Sequence, residues 1–153
     1  MDRGNEIRNH LLELLEGKFA HIDLETALRG FPIEHMNTRI ENSPHTAWEL
    51  VEHLRLAQWD ILDFSVNAGY EEMTFPDDYW PKEAGTEDTW NASVKQILAD
   101  LQAMRGLVSD EKNDLFAKFP WGSGQTLLRE AMLVADHNAY HLGQLMLLRR
   151  ILE

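Results

Sequence analysis

The chain has 153 residues, with 14 Lys+Arg against 26 Asp+Glu for a formal net charge of −12, and no cysteine. Without cysteine there is no disulfide framework, thiolate zinc site, iron–sulfur cluster or cysteine nucleophile, so a metal could be held only by His, Asp or Glu. The charge opposes nucleic-acid phosphates and anionic membranes, and the one basic doublet, Arg149-Arg150, suits a helix C-terminus better than an anion site.

The length fits one domain over residues 1–153. The N-terminus, Met1-Asp2-Arg3-Gly4-Asn5-Glu6, has no apolar h-region, and no run of about 20 apolar residues occurs anywhere. The expectation is a soluble cytoplasmic protein with neither a membrane nor a nucleic acid as partner.

Four segments carry helical periodicity. The first runs from about Asn5 to Gly30, with Ile7, Leu11, Leu14, Leu15, Phe19 and Ile22 at three- and four-residue steps, and Gly17 as a possible break. A connector rich in turn residues follows and ends at Asn42-Ser43-Pro44. The second helix opens on Thr46-Ala47-Trp48-Glu49, a capping box in which the Thr hydroxyl accepts an amide and the Glu reaches back to the cap. It ends near Ala68-Gly69. The third spans about Glu87 to Val108. The fourth follows Trp121-Gly122-Ser123-Gly124, with Ser123 as the expected cap, and runs to the end of the chain.

No period-two stretch argues for a sheet, so the fold class is all-α, a four-helix bundle whose interior can converge on a site. The Tyr70–Thr86 connection is long for a bundle, where about 2–8 residues are usual. It either folds over a bundle end, burying its own aromatics, or serves as a lid or pocket wall.

The fourth helix contains His137-Asn138-Ala139-Tyr140-His141, and residues at i and i+4 share a helix face. At about 100° per residue, His137 and His141 lie on a shoulder of the apolar stripe, beside Gln144 and Thr126. His53 occupies a similar shoulder of the second helix, near Ala57, Asp60 and Phe64. Facing each other across a groove, the three could form a metal site with open positions; the competing reading is three partly buried imidazoles satisfied by carboxylates.

Other templates fail. A zincin needs Glu where Asn138 stands, a di-iron bundle needs Glu-x-x-His, and Gly122-Ser123-Gly124 lacks a P-loop lysine. His10, His21, His35 and His45 read as surface or loop residues. Asp136 projects away from the histidine pair. Glu49 and Asp60 lie near His53 on the wheel, but Glu49 belongs to the cap. Asp60 could support His53 from behind the metal ligands or act as a general base, and Tyr140 is a further acid/base candidate. Asn138 falls in the middle of the apolar stripe and needs a polar contact.

Trp48-Glu49-Leu50-Val51-Glu52-His53-Leu54 and Asp136-His137-Asn138-Ala139-Tyr140-His141-Leu142-Gly143-Gln144, in this order, resemble the signatures of the DinB-like superfamily. The Phe119-Pro120-Trp121-Gly122-Ser123-Gly124 stretch resembles one of its branches. The resemblance implies a four-helix bundle with up-down-down-up connectivity, often a homodimer. It also implies a divalent metal, commonly nickel or zinc, on three histidines, which map to His53, His137 and His141. Characterised members include transferases and isomerases that use a low-molecular-weight thiol (bacillithiol, mycothiol or glutathione), and many others are described only as metal-dependent hydrolases.

The expected function is therefore a metal-dependent enzyme acting on a small-molecule substrate. Its metal would activate water, lowering the water pKa toward about 7, or an external thiol. The alternative is a non-enzymatic metal-binding or small-molecule-binding dimeric bundle. A structural zinc normally has four protein ligands, and a fourth from Asp77 or Asp78 would favour that alternative.

Overall fold

The computed structural model describes residues 3–153, and in it the chain is all-helical. Helices α1 (Arg3–Glu16), α2 (Leu24–Arg29), α3 (Ala47–Val66), α4 (Glu87–Ser109) and α5 (Leu127–Leu152) are joined without any strand among the described residues. No helix is long and apolar enough to cross a membrane. The four longer helices pack as a ring: α1 touches α4 and α5, and α3 touches both of the same two helices.

The segment expected as one helix from Asn5 to Gly30 is two. Gly17 adopts φ 70°, a left-handed conformation that costs glycine little and stops an α-helix, and its amide still bonds back to the Glu13 carbonyl at 3.2 Å. The chain restarts at Asp23, whose carboxylate accepts the Thr26 amide at 2.9 Å as the cap of α2. Phe19, assigned to the apolar stripe by its spacing, lies between the two helices and is 77% exposed.

Helix α3 begins as its sequence dictates. The Thr46 hydroxyl accepts the Glu49 amide at 3.2 Å, and Glu49 Oε2 accepts the Thr46 amide at 2.8 Å. Thr46→Ala is expected to cost about 1 kcal/mol and to lower the thermal midpoint by about 2–4 °C, measured by circular dichroism. An unchanged midpoint would mean that Glu49 alone holds the helix start.

The start of α5 differs from expectation. Its cap is Thr126, whose hydroxyl accepts the Arg129 amide at 3.2 Å, whereas Ser123 gives its own amide to Gln125 Oε1 at 2.7 Å. A chain return sets this start. Lys118 and Thr126 pair as an isolated antiparallel bridge, and the Phe119 amide bonds to the Gln125 carbonyl at 2.9 Å. Helix formation can begin only after that pairing ends.

The interior has two apolar clusters. One gathers Leu28, Leu50, Leu54, Trp90, Ile97 and Leu145 from α2, α3, α4 and the C-terminal half of α5. The other gathers Leu11, Leu15, Met104, Val108, Ala131 and Val134 from α1, α4 and the N-terminal half of α5. The stretches of α3 and α5 between them carry a polar layer. Asn138 Nδ2 donates to Gln58 Oε1 at 2.7 Å, and Gln58 Nε2 donates to the Ile97 carbonyl at 2.6 Å. The Asn138 amide nitrogen thus finds the polar contact that its place in the apolar stripe demands, while its Oδ1 is buried without a partner.

Candidate metal centre

The three histidines of the polar layer meet where α3 packs on α5. His137 and His141 stand one turn apart on α5, and His53 faces them from α3. One ring nitrogen from each can be chosen so that all lie within 4.8 Å of one another. His53 Nε2 and His137 Nε2 are 3.1 Å apart. The rings meet edge to face, with interplanar angles of 62°, 81° and 68°, and do not stack.

Two outer nitrogens are already committed. His53 Nδ1 donates to the Tyr79 backbone carbonyl at 2.9 Å, and His141 Nδ1 donates to Gln144 Oε1 at 2.7 Å. Both partners are oxygens that only accept, so each Nδ1 carries the proton and each Nε2 keeps its lone pair. His137 Nδ1 is buried without a partner. Among the described residues the recorded partners of these imidazoles are the Tyr79 carbonyl, Gln144 Oε1 and one another, not the carboxylates of the competing reading.

This donor set fits a divalent metal. Ligating histidines characteristically give their outer N–H to a carbonyl or carboxylate, which fixes the tautomer and the ring. Zinc–nitrogen bonds of about 2.0–2.1 Å in a tetrahedron put ligand nitrogens about 3.3 Å apart, close to the His53–His137 separation.

Electrostatics point the same way. Burial holds His137 well below the ordinary histidine value of 6.5, to about 3, reinforced by the neighbouring His141 and His53. Burial also lowers His53, against the Tyr79 carbonyl, and lowers His141, against Gln144. Neutral imidazoles with free lone pairs are the state a metal requires.

The Tyr70–Thr86 connection lies along α3 and does not close a bundle end. Trp80 stacks on His53 with ring centroids 4.0 Å apart and an interplanar angle of 4°, and His45 stacks on Trp80 at 3.9 Å. Farther along, Trp48 Nε1 donates to the Glu83 carbonyl at 2.9 Å. Gly85 passes so close that a Cβ there would stand 2.5 Å from the Trp48 ring. The aromatics of the connection are not all buried, since Phe75 is 76% exposed.

A cleft of about 730 Å³ opens between α3 and α5, with Asp60, Tyr70, Tyr79, Trp121 and Arg129 among its lining residues; the three histidines are not part of that lining. Tyr79 belongs to both places: its carbonyl meets His53 and its side chain walls the cleft.

Of the acid/base candidates, Asp60 is buried and accepts the hydroxyls of Tyr70 at 2.9 Å and Tyr79 at 2.7 Å. Tyr140 is 64% exposed and meets His141 edge-on, ring centroids 4.9 Å apart. Asp136 points to solvent, and Asp77 and Asp78 are exposed, with Asp78 accepting the Thr74 amide. His10 and His21 are exposed, as expected of surface residues.

Sequence reasoning missed the Tyr79 carbonyl, the Trp80 stack and the role of His45. These depend on where a loop docks, and only Gln144, three residues after His141 and beside it on the wheel, left a local signal.

Fold and centre together define an all-helical protein with a three-histidine cluster compatible with a divalent metal. The sequence pattern of the DinB superfamily matches residues 18–145, and the chain belongs to that superfamily. No curated protein and no solved structure matches it.

Proposed function

We propose that the protein is a metal-dependent enzyme in which His53, His137 and His141 hold a divalent ion, nickel or zinc, and which acts on a small-molecule substrate. The observation that carries this reading is the convergence of three neutral imidazoles, two with their outer nitrogens fixed by carbonyl oxygens. When bound, the ion supplies a Lewis acid at full charge with open positions, able to lower the pKa of water for hydrolysis or of an external low-molecular-weight thiol for transfer. Three protein ligands without a fourth favour such an open site over a closed structural one. Asp77 and Asp78 are exposed on the connection and lie outside the histidine group, which supports the open site.

The chain's own residues divide the remaining work. His53 and His141 are held in one tautomer, Trp80 covers a face of the His53 ring, and Tyr140, edge-on beside His141, would serve as the proton donor. The −12 charge makes an anionic substrate depend on the local field of the metal.

The same reading covers one domain over residues 1–153, up-down-down-up connectivity, a cytoplasmic setting and a homodimer. Met132, Tyr140, Leu147 and Ile151, all at least half exposed along α5, support the dimer.

Metal analysis of the untagged protein tests the centre, with a stoichiometric divalent ion expected. Panels of thiol cofactors with electrophilic acceptors, and of esters and amides, then separate transferase from hydrolase. Bound metal with no turnover in either panel would favour a non-enzymatic metal-binding or small-molecule-binding dimer instead.

A further inference from the structure

We infer that Asp60 is a positioning residue: by binding the hydroxyls of Tyr70 and Tyr79 it anchors the strap of residues 70–80 on α3, and so presents the Tyr79 carbonyl that orients His53. The inference rests on the metal-centre reading above and assigns Asp60 a role in it other than general base.

The geometry is a bridge over two helical turns. Asp60 follows His53 by seven residues on α3, about 10.5 Å along the axis. Tyr79 spans that distance, with its backbone oxygen 2.9 Å from His53 Nδ1 and its hydroxyl 2.7 Å from Asp60 Oδ2. Tyr70, at the other end of the strap, gives its hydroxyl to Asp60 Oδ1 at 2.9 Å. Each carboxylate oxygen therefore holds one phenol, and the two phenols come from opposite ends of one loop. The residue after Tyr79 is Trp80, whose ring lies flat on His53. A single anchor thus fixes both the hydrogen-bond partner and the stacking partner of that ligand.

Among the described residues, the two phenols are the recorded hydrogen-bond partners of the Asp60 side chain. Asp60 is 9% exposed, and none of the ion pairs among the described residues includes it. A buried carboxylate without a cation needs strong donors, and the 2.7 Å bond from the Tyr79 hydroxyl is of the length found in the stronger, charge-assisted hydrogen bonds. Both phenols are shifted above the ordinary tyrosine value, first by burial and then by their bonds to Asp60, so they stay protonated as donors. A base whose two oxygens are both occupied would have to release a phenol, and with it the strap, before taking a substrate proton.

Asp60→Asn and Tyr79→Phe test the assignment; the latter keeps the backbone carbonyl and removes only the anchor. Zinc affinity is measured by competition with a chromophoric chelator, cobalt(II) coordination by its visible spectrum, and strap mobility by amide hydrogen exchange. The expected result is zinc affinity weaker by about 10–100-fold, as for loss of a group that orients a metal-ligating histidine. The cobalt spectrum should also shift, and exchange over residues 70–80 should quicken while helix content stays the same. Tyr79→Phe carries the test if Asp60→Asn fails to fold. Zinc affinity equal to that of the unaltered protein in the folded variants overturns the inference, whatever the exchange shows. Failure of the unaltered protein to bind zinc or cobalt at all overturns the metal-centre reading itself, a result distinct from the first.

Discussion

Replacing His137 and His141 together by alanine is expected to abolish metal binding while leaving the helices intact. Both residues project from one face of α5, one turn apart, so the double change leaves His53 as the single imidazole of the group. One imidazole has neither the chelate geometry nor the charge to retain a divalent ion against dilution and buffer. The helix should survive, because alanine is its best former and the apolar stripe through Ala131, Val134, Leu142 and Leu145 is untouched. Elemental analysis of dialysed protein reads the outcome, with far-ultraviolet circular dichroism as the control. Full metal content in the double variant would refute the site assignment. His53→Ala is expected to lose metal as well, and would also free the Tyr79 carbonyl and the Trp80 face.

The second large effect is a loss of stability on acidification of the metal-free protein. Burial first, and the neighbouring imidazoles second, lower His137 from 6.5 to about 3 in the fold. Between those values the unfolded chain binds more protons than the folded one, so stability rises with pH across this window. Acidification removes it progressively from pH 6.5 downward, until the folded-state His137 protonates near pH 3. At pH 4 the loss from His137 is on the order of 3 kcal/mol, with contributions of the same sign from His53 and His141, whose shifts are also downward. Urea midpoints of metal-free protein at pH 7, 5.5 and 4 measure it.

Many carboxylates titrate in the same range, so the informative quantity is the difference from the His137→Ala/His141→Ala variant, which should decline less steeply. Equal slopes would show that the histidines are not buried in the neutral state. Because the protons are held off, metal binding should persist below pH 6.5, where exposed imidazoles already compete for protons.

What could be read from the sequence was whatever depends on neighbours within a turn or two. The Thr46–Glu49 box, the His137–His141 spacing and the shoulder position of His53 are local patterns, and the structure keeps each of them. The demand of Asn138 for a partner was also visible, because a buried amide in an apolar stripe is costly without one; that Gln58 meets its nitrogen was not.

The misplacements share a cause. Ser123 has the chemistry of a cap and loses the role to Thr126, because pairing between Lys118 and Thr126 holds the intervening residues in a return. Phe19 has the right spacing and ends up in water, because Gly17 turns the chain before the stripe reaches it. Tyr79, Trp80 and His45 reach the centre by long-range docking of a connection, which periodicity does not encode.

The Gln58–Asn138 amide pair has a consequence for mechanical alignment. Leucines on α3 and α5 would pack almost as well after one helix slid along the other by a turn, about 5.4 Å. An amide pair would not, since the slip would face each member with hydrocarbon. The pair therefore works as an index mark between the two helices. Asn138 is the residue next to His137, and Gln58 sits little more than a turn beyond His53, so the mark that sets the helix alignment also sets the distance between metal ligands. Fold and centre share one tolerance, and a sequence that drifted at the amides would lose the site before it lost the bundle.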